Sequence, residues 1–163
     1  MKSALLYLWQ LPQNILGFLM SRLWRKRLSI LDDRVIANVV ETEKKFGIKI
    51  YVADYESHKN DKLLGLLSGH SLGKYVCIDS WANGATVLHE NGHCEQSKKL
   101  GPLYLPVVGL SSAFCNIWDR VFHTGWSYYS RCCWYFLHCW QEKWADKLGG
   151  VNRADVLFDI LPR

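Results

Sequence analysis

NGATVLHENGHCEQSKKLGP, running from Asn83 to Pro102, is the stretch around which the remainder of the chain has to be organised. Gly101 and Pro102 cannot continue a helix, so the pattern predicts one from about Ala82 or Asn83 to Leu100. Residues four apart on a helix share a face, so His89 and His93 can turn both imidazoles onto one ion. Glu90 follows the first histidine directly, where its carboxylate can take a proton from water activated at that ion. Gly92, inside the motif, leaves room for another element to pack close. The bland alternative is a histidine pair on a core helix.

Two histidines leave a metal short of ligands, because a catalytic zinc site takes three protein ligands and keeps one position open. A second segment, Glu142-Lys143-Trp144-Ala145-Asp146, again places two carboxylates four apart on a predicted helix. That helix begins among the aromatics near Tyr128, passes Trp134, Phe136, Trp140 and Trp144, and stops at Gly149 and Gly150 after Leu148. Glu142 can complete a Zn2+ site with His89 and His93. The fold must then carry position 142 back over the turn that holds 89 and 93.

Ahead of the motif helix the composition is that of a soluble domain. Val35, Ile36, Val39 and Val40 recur at helical spacing, with Glu41, Glu43, Lys44 and Lys45 on the other face, and the helix ends near Gly47. Ile48, Ile50 and Val52 alternate with Lys49 and Tyr51 up to Ala53, the period of a strand with one buried face. A strand pair is expected at Leu63–Leu67 and Lys74–Asp79, separated by a turn-rich Ser68–Gly73. The class is therefore α+β: mostly helical, with a small β-sheet before the motif helix, in one domain spanning 1–163.

The 163 residues are 49% hydrophobic, enough for one sizeable core. Apolar sequence is also concentrated outside that core. Ala4 to Met20 is rich in leucine but interrupted by Gln10, Pro12, Gln13 and Asn14, which reads as a membrane-associated helix that spans or lies in the interface. Arg22, Arg25, Lys26 and Arg27 follow it, so residues 1–27 make an apolar helix with a basic cluster and the core occupies 28–163. The net charge of +5 is thus placed for an anionic lipid surface, and no basic residues alternate with aromatics as a nucleic-acid groove requires. Leu100 to Trp118 carries no charge, yet Pro102, Pro106 and Gly109 break it, predicting an apolar hairpin at about 100–135. Six cysteines form no CxxC pair, which fits reduced thiols.

HExxH followed at a distance by ExxAD resembles the gluzincin metallopeptidases, the group that includes thermolysin and the membrane prenyl-protein-processing proteases. The resemblance implies a zincin-like fold and peptide-bond hydrolysis with Glu90 as general base. It implies that Glu142 is the third zinc ligand and that Asp146 hydrogen-bonds and orients His89. It also implies a peptide or protein substrate pairing with the strand at Lys74–Asp79. Tyr128, Tyr129, Tyr135, His123 and His138 are the candidates for stabilising an oxyanion. The chain is shorter than most gluzincins, so the second half of the usual cleft is absent or reduced to Leu100–Tyr135. His89 to Leu110 is also similar to small bacterial membrane-associated proteins with the same helix, which implies an inner-membrane location with the basic cluster on the cytoplasmic side. The competing expectation is a catalytically inactive zinc-binding structural or interaction protein at the membrane.

Overall fold

The computed structural model describes residues 2–22, 33–53, 69–79, 82–125 and 138–152. In chain order they form α1 (Lys2–Trp9), α2 (Leu11–Ser21), α3 (Asp33–Phe46), β1 (Lys49–Ala53), β2 (His70–Leu72), β3 (Tyr75–Asp79), α4 (Gly84–Leu100), α5 (Leu110–Phe122) and α6 (Trp140–Gly149). A 3-10 turn at Gly101–Leu103 and a π-helical turn at Leu105–Gly109 join α4 to α5. The α+β expectation holds: the chain is mostly helical, with a three-stranded sheet before the motif helix.

The alternation at 48–52 acts as expected. Ile50 and Val52 of β1 and Val76 and Ile78 of β3 bury one sheet face against Val39 of α3 and Val87 and Cys94 of α4. β1 runs parallel to β3, and β2 pairs antiparallel on its other side. This order corrects two expectations. The partner in the hairpin is His70–Leu72, inside the stretch read as a turn, while 63–67 lies outside the described residues. The reason is a polar inward residue: Ser71 is buried and bonded to Glu90, so no apolar alternation marks the strand, and the reversal is left to Gly73 at φ 63°. The 74–79 strand is also the centre of the sheet rather than its edge, paired on both sides along Tyr75–Cys77. β2 is the strand at the margin beside α4.

α4 starts at a capping box, where the Asn83 side chain accepts from the Thr86 backbone N–H at 2.9 Å. Its closest helical neighbour is α6, and two glycines set that approach. A Cβ on Gly92 would fall on the Ala145 carbonyl, and one on Gly149 would fall on the Leu88 carbonyl. The α4 C-terminus is held from the N-terminal side of the chain. Trp9 Nε1 donates to the Lys98 carbonyl at 3.2 Å, Gln10 Nε2 to Ser97 Oγ at 2.8 Å, and Gln13 Nε2 to the Gly101 carbonyl. The bonds to the Lys98 and Gly101 carbonyls satisfy acceptors that the end of a helix leaves unpaired. The polar interruptions in 4–20 are therefore a docking seam, and the segment breaks at Gln10 into two helices instead of one.

After Gly101 the chain turns a corner. The helical runs Gly84–Leu103 and Leu105–Asp119 meet at 115°, and residues 126–135 of the expected hairpin lie outside the described residues. Among the described residues no single helix is long and apolar enough to cross a membrane. The start of the last helix near Tyr128, and the stretch 126–137 as a whole, lies outside the described residues. α6 ends where expected, with Gly150 left-handed at φ 75°.

Because Gly92 has backbone of α6 where its side chain would be, Gly92→Ala is expected to lower stability by about 1–3 kcal/mol through overpacking. Denaturant unfolding measures this, and a variant as stable as the parent would contradict the close approach.

Candidate metal centre

α4 turns His89, Glu90 and His93 inward and α6 meets them with Glu142 and Asp146, all five buried. One carboxylate oxygen is shared: Glu142 Oε2 lies 3.1 Å from His89 Nε2 and 3.2 Å from His93 Nε2. Possible ligand atoms of His89, His93 and Glu142 all fall within 4.8 Å of one another. The two rings meet edge to face, with centroids 4.8 Å apart.

The outer nitrogens show which atoms point at the centre. His89 Nδ1 is 2.6 Å from Asp146 Oδ1, and an ionised carboxylate only accepts, so Nδ1 carries the proton. His93 Nδ1 is 2.8 Å from Gln96 Oε1, and the Gln96 amide is oriented by its Nε2 donating to the Gln141 carbonyl at 2.7 Å. His93 Nδ1 therefore donates as well. In their neutral forms both rings present an Nε2 lone pair to Glu142 Oε2, which also presents lone pairs. Three such donors cannot face one another in a buried site without a cation between them.

The titration of the metal-free groups states the same need. Burial by itself would lower the His89 pKa, but its bonds to Asp146 and Glu142 and the Glu90 charge outweigh that and lift it to about 9. His93 is also raised, again against burial, chiefly by Glu142. Burial would raise Glu142, yet the two imidazoles hold it well below the usual carboxylate range. Without a metal, protons stand in for the missing positive charge.

The donor set fits a borderline-soft divalent ion. Two imidazole nitrogens and one carboxylate oxygen, each supported from behind, lie close enough together to bind a metal ion. Glu142 Oε1, the oxygen turned away from the histidines, accepts from Ser112 Oγ at 2.9 Å. Burial pushes the Cys94 thiol up to about 12.

Glu90 is held separately. Ser71 Oγ lies 2.5 Å from its Oε2 and 2.9 Å from its backbone carbonyl, tying the carboxylate to β2. Among the described residues no hydrogen bond reaches its other oxygen, Oε1. Tyr104 donates to the Ser71 carbonyl at 3.1 Å and braces β2 from the segment after α4.

The structure thus brings together every residue expected at the centre: His89, Glu90, His93, Glu142 and Asp146. Of the oxyanion candidates, His123 is buried beside Asp119, its Nδ1 3.0 Å from Oδ1, and Tyr128, Tyr129 and Tyr135 lie outside the described residues. Gln96, Ser71 and Ser112 went unnoticed in the sequence. Gln96 has a usable signal, since it lies one helical turn beyond His93, whereas Ser71 and Ser112 come from distant segments and have none. Comparison with family models, with curated proteins and with solved structures returns no match to this chain. The chemistry of the cluster has to carry the function.

If Asp146 and Gln96 hold the two rings, Asp146→Ala and Gln96→Ala should each weaken zinc binding by about 10–100-fold. Competition with a chromophoric chelator reads this, and unchanged affinity in both would remove their supporting role.

Proposed function

We propose that this chain is a zinc-dependent metallopeptidase of the gluzincin kind, with His89, His93 and Glu142 holding the ion and Glu90 as general base. The observation that carries the reading is the convergence of two imidazoles and a carboxylate oxygen beside a second carboxylate, Glu90, that is tied to β2 by Ser71 and forms no ion pair among the described residues. Zinc, when bound, supplies Lewis acidity: it polarises a carbonyl oxygen and makes water acidic enough to lose a proton near neutral pH.

The chain's own groups do the rest. Asp146 and Gln96 keep both rings in the tautomer that offers Nε2, and Ser112 turns one oxygen of Glu142 away so that the other faces the histidines. Ser71 fixes Glu90 through Oε2 and leaves Oε1 to take a proton from the attacking water. The same carboxyl can return that proton to the leaving amine.

The second reading, a silent ion that staples α4 to α6, draws on the glycine-mediated contact of those helices and the burial of all three donors. The donor set favours catalysis, because structural zinc sites are closed by four ligands and are usually rich in cysteine.

Glu90→Gln is expected to keep one zinc per chain by elemental analysis while hydrolysis of a fluorogenic peptide falls by about 10²–10⁴-fold, the usual contribution of a general base. A variant with parental activity would remove Glu90 from the mechanism. A parent protein that holds zinc and cleaves no peptide in a broad library, with or without chelator, would favour the staple.

A further inference from the structure

The helices around the metal centre are amphipathic the wrong way round for water. On α2 the buried residues are Gln13, Asn14, Gly17 and Ser21, while Ile15, Leu16, Phe18 and Leu19 are exposed. On α5 Ser112 and Asp119 turn inward, as does His123 just past its end, while Leu110 is 68% and Phe114 62% exposed, with Ile117 and Val121 alongside them. α1 adds Leu5 at 64% and Leu8 at 61%. In water, rotating such a helix would bury apolar area at about 25 cal/mol per Å² and return the amides to solvent. The rotation is instead locked by specific bonds: Gln10 to Ser97, Gln13 to Gly101, and Asn14 Oδ1 accepting from the Lys74 backbone N–H at 3.0 Å. A polar interior with an apolar exterior is the arrangement that hydrocarbon surroundings favour.

Cations border these faces. Arg22, at the end of α2, lies over the Phe18 ring at 4.7 Å, and Arg25, Lys26 and Arg27 follow in the sequence. Lys74 Nζ sits 4.7 Å from the Tyr7 ring centre. Long basic side chains resting on aromatics at the margin of an apolar surface suit anionic headgroups. Among the described residues no single helix is long and apolar enough to cross a hydrocarbon core of about 30 Å; α5 has 13 residues, about 20 Å of helix.

We propose that the apolar faces of α1, α2 and α5 seat this protein in one leaflet of an anionic bilayer, so that its metal centre acts on chain segments at the membrane surface. Ser112 ties the inner face of α5 to Glu142 while Phe114 lies on its outer face. The centre is therefore about one helix thickness, roughly 10 Å, behind the lipid-facing surface. The substrate class rests on the peptidase reading; the lipid-facing surface does not.

Flotation of the full chain with phosphatidylcholine vesicles containing phosphatidylglycerol tests the surface. The parent should float with the vesicles. Phe114→Glu/Ile117→Glu on α5 and, separately, Leu5→Glu/Leu8→Glu on α1 should each reduce the floating fraction on the order of tenfold or more while keeping zinc, since a charge in hydrocarbon is costly. A parent that stays in solution, as a monomer, a dimer or a complex with another protein, would overturn the proposal, as would variants that float like the parent. Cleavage of one peptide, free or lipid-anchored to the vesicle, tests the substrate class. Faster cleavage of the anchored form is expected, and equal rates would refute it. Flotation with no cleavage of either form would sink the peptidase reading and leave the lipid-facing surface standing.

Discussion

The structure depends on lone pairs brought face to face. His89 Nε2 and His93 Nε2 converge on one oxygen of Glu142, and neither ring can turn away because Asp146 and Gln96 hold the opposite nitrogens. Such a cluster is repulsive until a cation fills it. The ion or its protons therefore belong to the packing of α4 on α6 as much as to any chemistry. Gly92 and Gly149 let the two helices come close enough for one carboxylate to reach both rings.

What could be read from the chain follows from what is local. His89 and His93 share a helix face by spacing alone, and Glu142 and Asp146 repeat that spacing. The strand at 49–53 shows because its inward residues are apolar. β2 stayed hidden because its inward residue is Ser71, whose burial is offset by a bond to Glu90 that no local pattern announces. The same limit applies to Ser112, which meets Glu142 only because the chain bends by 115° after α4. The central place of β3 likewise depends on strand order, which the hydrophobic period does not encode.

Gln10, Gln13 and Asn14 show how a polar break in an apolar segment can mislead. Within the sequence they weaken a membrane helix. In three dimensions they are the inner side of the α1–α2 segment, bonded to the end of α4 and to the turn before β3, and the leucines are left outside. One set of side chains thereby anchors the N-terminal helices to the helix that carries His89, Glu90 and His93.

The direct test of the central claim is zinc-edge X-ray absorption of the purified full chain. The account predicts one zinc with only nitrogen and oxygen neighbours at about 2.0–2.2 Å, including the outer-shell scattering of two imidazoles, and loss of that signature in Glu142→Ala. Sulfur at about 2.3 Å, or an unchanged spectrum in Glu142→Ala, would contradict it.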